Sequence, residues 1–212
     1  MTRVSVHDIA KHTAPISSEE GQRLMLSEAS VDREPLMECW VAQLESHCGA
    51  ASAVIVNSAL RPEERLTQDD LFTPETAHII TQDVVFRDGF TLEELAEMIR
   101  VRTGLQAEWF RAGAEEGQHG CEDFLAALRA DRANPGDHLI INFSQASLAG
   151  EGTGRGHFSP IADFSETDDM VLVLEVRGDR ELFWVSPRDL YSAIETVDPV
   201  CGLNRGWIVV RR

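Results

Sequence analysis

Residues 46–52 of the chain read SHCGAAS, and residues 53–60 continue as AVIVNSAL, so a cysteine leads into a run of small and aliphatic side chains. This composition predicts a buried helix that begins near Cys48. The N–H groups in a helix's first turn lack partners within the helix, and the helix dipole also favours negative charge there. Both features favour the thiolate, which is the nucleophilic form of cysteine. Cys48 is therefore a candidate nucleophile for acyl transfer. Since cysteine is also among the most buried residue types, a structural role is the alternative.

A cysteine nucleophile needs a base, and one histidine stands in a suitable context. His157 follows the glycines at 154 and 156 and starts a strand-like run, residues 157–164. A second aliphatic run, residues 170–176, contains a single carboxylate, Glu175. A buried carboxylate is costly unless it is paired, and a histidine ring N–H is a suitable partner. Taken singly, His157 could lie in a surface loop and Glu175 could face water.

Six segments together resemble the phytochelatin synthase family, the glutathione gamma-glutamylcysteinyltransferases of the papain-like cysteine peptidase superfamily, in a short bacterial-type form. They follow the family's order from about Leu36 to the C-terminus. The segments are residues 48–52, 71–85, 89–95, 138–143, 156–160 and 196–206. The resemblance implies an α+β, papain-like fold, in which a helical lobe precedes an antiparallel β-sheet lobe. It also implies an N-terminal arm, residues 1–35, ahead of a catalytic domain, residues 36–212.

The same resemblance implies a catalytic triad of Cys48, His157 and Glu175. The last two are 175 − 157 = 18 positions apart, the interval between base and orienting acid in the family. The family has aspartate where this chain has Glu175, which is longer by one methylene. Glutamate can still accept the imidazole N–H if the backbone or the ring shifts, and restoring aspartate is expected to retain or raise turnover.

A second departure concerns the oxyanion hole, where the family has a glutamine six residues before the nucleophile. Here that position is Ala42, and Gln43 lies five residues before Cys48. A one-residue slip in the segment before the helix would bring the Gln43 amide beside the Cys48 backbone N–H. Loss of such a donor typically costs about 3 kcal/mol of transition-state stabilisation.

For substrate binding, the resemblance implies a pocket for a gamma-glutamyl unit lined by Asp198 and Arg205. A guanidinium suits the glutamyl alpha-carboxylate, and a carboxylate suits its alpha-amine. The alternative for this pair is a surface ion pair near a strand end. Gly156 would leave backbone room for the substrate beside His157.

Hydrophobic periodicity and capping signals support the fold class. Thr91 to Glu94 is a capping box that predicts a helix ending at Gly104, and Ser186-Pro187 predicts a helix through Ile194. Residues 138–143, 157–164, 170–176, 182–185 and 207–210 are expected to be strands. The charged residues 61–76 are helix-competent. Helices first and strands second is an α+β order.

Composition restricts the partners. The chain has 212 residues, 43% of them hydrophobic, and a formal net charge of −17. Nucleic acid and anionic membrane surfaces repel such a protein. No apolar run is long enough to span a membrane, and residues 1–20 lack the apolar core of a signal peptide, so a soluble cytoplasmic protein is expected. Its four cysteines lack CxxC spacing, which predicts neither a zinc site nor disulfides.

The resulting hypothesis is a cysteine enzyme that cleaves glycine from glutathione through a gamma-glutamylcysteinyl thioester. Hydrolysis is expected to prevail over transpeptidation to phytochelatin, since the sequence shows no cysteine-rich extension and an acidic protein concentrates anionic glutathione poorly. No tightly bound cofactor is expected, and cadmium or zinc would act as the glutathione thiolate. Two alternatives stay open: a papain-like amidase or acyltransferase on another gamma-glutamyl or small peptide substrate, and a decayed, non-catalytic binding protein. A homodimer is also left open.

Overall fold

The computed structural model describes residues 13–27, 29–152 and 154–212, which form eight α-helices and seven β-strands. The helices are α1 (Glu19–Met25), α2 (Arg33–Glu38), α3 (Cys48–Leu60), α4 (Gln82–Asp88), α5 (Leu92–Thr103), α6 (Cys121–Ala133), α7 (Gln145–Leu148) and α8 (Pro187–Ile194). The strands are β1 (Thr13–Pro15), β2 (Gln106–Arg111), β3 (Asp137–Ser144), β4 (Gly156–Ser165), β5 (Met170–Val173), β6 (Phe183–Val185) and β7 (Gly206–Arg211). Five of these helices precede six of the strands, which confirms the α+β class. The papain-like arrangement stays a prediction.

The strands form one sheet in the order β1-β6-β5-β4-β3-β7-β2, with antiparallel neighbours throughout. The central strand, β4, contributes to two buried clusters. Phe158 and Ala162 pack with side chains of α3 and α5, whereas Ile161 and Phe164 pack with side chains of α6 and α8. Helices thus cover the sheet on both faces, and α3 begins beside the first residues of β4.

Helix α3 is buried along almost its whole length, as its composition predicts. Small residues in the first turn let it approach its neighbours closely. A Cβ atom on Gly49 would lie 2.8 Å from the Phe90 ring and 3.3 Å from Leu95. Because a helix that is apolar all round belongs in the core, the nucleophile candidate is fixed at the start of a buried helix.

The capping signals are confirmed. Thr91 and Glu94 form a reciprocal capping box, and Gly104 ends α5 with φ 69° in the left-handed region. The Ser186 hydroxyl accepts from the Asp189 backbone N–H at the start of α8, with Pro187 as its first residue. These ends form as predicted because each depends on residues within one turn of the chain.

Two predicted elements are shorter in the structure. The strand expected over residues 170–176 ends at Val173, because β4 has a bulge between Ile161 and Asp163 and the Glu175 N–H turns back to the Val173 carbonyl. Residues 61–76 contain only a 3-10 helix, Asp69–Leu71, among turns. Prolines at 62 and 74 disfavour a continuous helix there.

The predicted N-terminal arm is only partly described, and residues 1–12 lie outside the described residues. In the described part, β1 pairs with β6, and Leu24 of α1 is fully buried in the core. The division of the chain at residue 35 stays a prediction. Among the described helices, none combines the length and apolar composition needed to span a membrane.

Candidate active site

Cys48 is the first residue of α3, and the two residues before it set its position. Ser46 has φ 63°, a left-handed conformation that turns the chain into the helix. His47 is the N-cap, with its ring buried edge-on against Phe72 and its Nδ1 atom bonded to the Glu45 carbonyl. The Cys48 thiol therefore lies at the positive end of a helix dipole, as predicted.

His157 and Glu175 are brought together as predicted. His157 lies opposite Phe143 in the β3–β4 ladder, and its Nε2 atom is 2.7 Å from Glu175 Oε1. The His157 side chain is 7% exposed and that of Glu175 is fully buried, so neither is a surface residue. The Cys48 sulfur accepts from the Phe158 N–H at 3.5 Å, and interaction with the His157 ring lowers the pKa of the thiol. Cysteine, histidine and carboxylate thus form one continuous array.

The longer glutamate is held by further donors. Glu175 Oε1 also accepts from the Arg177 backbone N–H at 2.8 Å, and Oε2 accepts from Gln145 Nε2 at 2.7 Å. The Trp40 indole N–H donates to the Glu175 carbonyl at 2.8 Å. The additional methylene is therefore accommodated without an unpaired carboxylate oxygen.

Electrostatics favours a charged array. Burial would raise the pKa of Cys48, but the hydrogen bond and charge of His157, with the Phe158 N–H, lower it below the usual value. Burial would lower the pKa of His157, but the charge of Glu175 and the contacts with Cys48 and Glu175 raise it to about 10. The pKa of Glu175 is lowered, since His157 and the Arg177 N–H outweigh its burial. The three shifts together favour a thiolate, an imidazolium and a carboxylate.

These shifts predict the order of thiol reactivity. At about pH 6 an alkylating reagent should label Cys48 faster than Cys39, Cys121 or Cys201, because a lowered pKa leaves more thiolate. All four cysteines are free and partly exposed, and burial raises the pKa of Cys39 and Cys121. Peptide mass spectrometry after a timed reaction measures the four rates. Equal labelling of all four would rule out Cys48 as an activated nucleophile.

Gln43 lies in the cavity that contains this array. The cavity has a volume of about 250 Å³ and is lined by Gln43, Cys48 and His157 among others, but not by Ala42. The Gln43 N–H donates to the Val176 carbonyl, and its Oε1 atom is buried without a partner. The shift of the glutamine by one position thus leaves its side chain beside the nucleophile. Its function in an oxyanion hole stays a prediction.

The predicted substrate-binding residues are separated in the structure. Gly156 and Asp198 line the cavity, whereas Arg205 does not. Arg205 is fully buried behind Gly156 and donates to the Gly154 and Val197 carbonyls, so neither it nor the buried Asp198 is a surface residue. Its Nε atom has no partner and lies 3.3 Å from where a Gly156 Cβ would be. Contact of Arg205 with a substrate stays a prediction.

Sequence reasoning missed four charged or amide side chains at the cavity: Asp88, Gln145, Arg155 and Arg177. Arg155 directly precedes the Gly156-His157 pair, a position that could have indicated it. The others come from α4, α7 and the segment after β5, which only the folded sheet brings together. Two arginines and, with Asp198, two aspartates give the cavity wall both charges, which suits a zwitterionic ligand.

No cluster of three or more metal-binding side chains occurs in the described ranges. His119 and Cys121 are close in sequence, but the His119 ring faces Asp123 at 3.8 Å.

Comparison with known proteins identifies the family of the chain. A family model described as Phytochelatin synthase matches residues 4–207. The chain belongs to the phytochelatin synthase family. Its relatives include glutathione gamma-glutamylcysteinyltransferase 3 of Lotus japonicus, 31% identical over 125 residues, which are 58% of this chain and 25% of that protein. Glutathione gamma-glutamylcysteinyltransferase of Schizosaccharomyces pombe is 37% identical over 73 residues, 34% of this chain and 17% of that protein.

The matched part of the chain thus spans a quarter or less of these relatives. The family match confirms the predicted family, and the names of these relatives are those of enzymes, in agreement with the prediction of an enzyme.

Proposed function

We propose that this member of the phytochelatin synthase family is a papain-like cysteine enzyme that releases glycine from glutathione through a gamma-glutamylcysteinyl thioester on Cys48. The observation that carries the proposal is the array of Cys48, His157 and Glu175 inside a cavity with walls of both charges. The array supplies a nucleophile, a proton carrier and an orienting acid in a row.

In the acylation step, the Cys48 thiolate attacks the carbonyl carbon of the cysteinyl–glycine peptide bond. The oxyanion that forms is stabilised by the Cys48 backbone N–H and the Gln43 amide, which lines the same cavity. The His157 imidazolium gives its proton to the glycine nitrogen, the C–N bond breaks, and glycine leaves. Glu175 accepts from the His157 Nε2–H throughout and keeps the other ring nitrogen towards the reacting atoms.

In the second step, the neutral His157 takes a proton from water as the water oxygen attacks the thioester carbonyl. The C–S bond then breaks, which restores the Cys48 thiolate and releases gamma-glutamylcysteine. A second glutathione molecule, with its thiol bound to a metal ion as the thiolate, can take the place of water. Its amino group then attacks the thioester and forms a longer peptide. Cadmium or zinc enters this proposal only as part of that substrate.

Charge supports glutathione as the donor. At neutral pH glutathione carries one ammonium group and two carboxylates, and the cavity offers the guanidinium groups of Arg155 and Arg177 beside Asp88 and Asp198. In this proposal Asp198 receives the alpha-ammonium, Gly156 leaves room for the gamma-glutamyl backbone, and Arg205 supports that wall from behind.

Size and charge favour hydrolysis over transfer. A cavity of about 250 Å³ lies at the small end of ligand pockets and suits one tripeptide. The net charge of −17 disfavours the accumulation of a second anionic glutathione, whereas water needs no binding site. The four free cysteines are compatible with a reducing compartment, and we propose the cytoplasm.

The products of glutathione turnover test this function. Incubation with glutathione should give mainly gamma-glutamylcysteine and glycine, with little longer peptide even after cadmium or zinc is added. Quantitative mass spectrometry over a glutathione titration measures all three products. A dominant yield of oligomers would contradict the preference for hydrolysis.

A second candidate is another gamma-glutamyl or small peptide substrate. Val200 lines the cavity and is 45% exposed, and the nearby Val197 and Leu203 are each 51% exposed. Glutathione has no large apolar group that would contact these three exposed apolar side chains. Release of no glycine by a protein with a reactive Cys48 would favour this candidate, and an unreactive Cys48 would favour a non-catalytic binding protein.

A further inference from the structure

The buried carboxylate of Glu175 uses both oxygens, and they face different partners. Oε1 accepts from His157 Nε2 at 2.7 Å and from the Arg177 N–H at 2.8 Å. Oε2 accepts from Gln145 Nε2 at 2.7 Å. Because the Glu175 side chain is fully buried, the Gln145 amide and not bulk solvent satisfies Oε2. A buried carboxylate oxygen left without a donor would be costly.

Gln145 is itself held in place by the fold. It is the first residue of α7, directly after the end of β3, and Ser144 is the N-cap of that helix. The Ser144 hydroxyl accepts from the N–H groups of Ser147 at 3.1 Å and Gly154 at 3.2 Å. Ser144 also pairs with Gly156, the residue before His157. The Gln145 amide therefore extends from the end of β3, the strand that pairs with the strand of His157, and binds the carboxylate partner of that histidine.

The neutral charge of Gln145 matters for the array. An amide donor satisfies Oε2 without adding a positive charge to the one that the nearby Arg180 already places on Glu175, so the carboxylate keeps its charge towards His157. A lysine or arginine in its place would partly neutralise that charge, and the pKa of His157 would fall towards its ordinary value. Glutamine thus fixes the carboxylate and preserves the charge that maintains the imidazolium.

We propose that Gln145 is a positioning residue for Glu175, and that its contact is what lets a glutamate orient His157 in this chain. Glutamate has one more rotatable bond than aspartate, and the contact at Oε2 restricts it. An aspartate at this position would be too short to reach both His157 and Gln145. This inference rests on the proposed function for its effect on turnover, but not for its effect on Cys48.

A double-mutant cycle tests the proposal. Gln145→Met keeps the length of the side chain and removes the donor, and Glu175→Asp removes the reach of the carboxylate. Gln145→Met should move the midpoint pH of Cys48 alkylation upward by about half a unit to one unit, because a hydrogen bond to a charged group is lost. Gln145→Met should also lower kcat about tenfold or more, which is typical when a residue that holds a functional side chain in place is replaced. The effect on KM should be much smaller.

In the Glu175→Asp background, Gln145→Met should have little further effect on either measurement. Glu175→Asp alone should resemble Gln145→Met, which replaces the sequence-based expectation that aspartate retains or raises turnover. Ser147→Ala, on the same short helix but away from the cavity lining, is the matched control and should leave both measurements unchanged.

Equal losses from Gln145→Met in both backgrounds, or an unchanged alkylation midpoint, would overturn the positioning role. A raised KM at constant kcat would also overturn it and would indicate contact with the substrate. Alkylation needs no glutathione. If the midpoint moves as expected while the wild-type protein releases no glycine, the proposed function fails and the role of Gln145 stands.

Discussion

Cys48→Ala is expected to lower glycine release from glutathione by at least about 10⁴-fold. In the proposed mechanism the Cys48 thiolate is the only group of the protein that bonds covalently to the substrate. Alanine at the start of α3 has no nucleophilic atom. The methyl group is smaller than the thiol it replaces and makes no clash with Phe158, so the fold should persist. Glycine release and the mass of the intact protein after a brief glutathione pulse are the measurements. The wild-type protein should carry an acyl adduct and the variant none.

The matched control for this substitution is Cys121→Ala. Cys121 is the first residue of α6 and does not line the cavity. Its replacement should change turnover by no more than about twofold, as for most substitutions away from a site. Substantial glycine release by Cys48→Ala, or an acyl adduct on a different cysteine, would contradict the assignment of the nucleophile.

The parts of the site that sequence alone predicts are those that depend on local signals or on a fixed interval. The small residues after Cys48 predict a buried helix, and in the structure a Cβ atom on Gly49 would lie only 2.8 Å from the Phe90 ring. The interval of 18 positions between His157 and Glu175 predicts their pairing through the family resemblance. In the structure Glu175 lies two residues beyond the end of β5, where the Leu174 N–H still donates to the Pro160 carbonyl of β4.

Other parts of the site and of the fold depend on contacts between segments that are distant in sequence. Local sequence signals therefore could not predict them. The orientation of the Arg205 side chain depends on its hydrogen bonds to the carbonyls of Gly154 and Val197, which come from two separate loops. The partner of Glu175 Oε2 is Gln145, thirty positions away on α7. The pairing of β1 with β6 joins Thr13 to Val185, and no short-range pattern indicates such a contact.

Glu175→Gln is expected to lower kcat by about 10³-fold, approaching the loss seen when the acid of a catalytic triad is replaced by its amide. The shape of the side chain is nearly kept, but the charge that raises the pKa of His157 is lost. A carboxylate accepts from all three of its donors here, whereas the amide nitrogen must face at least one N–H group. The imidazole therefore loses both its charge partner and its fixed tautomer.

The direction of the pH effect follows from these losses. Without the Glu175 charge the pKa of His157 should fall from its raised value of about 10, so the imidazolium is lost at a lower pH. Without the imidazolium the pKa of Cys48 should rise, so the thiolate forms at a higher pH. The pH range in which both charged partners coexist should thus narrow from both sides. Alkylation of Cys48 against pH, together with kcat for glycine release, measures both changes. Glu166→Gln, which alters an exposed carboxylate bonded to Arg129, is the control and should leave the profile unchanged. Full activity in Glu175→Gln would mean that His157 acts without an orienting acid, and the array would reduce to a cysteine–histidine pair.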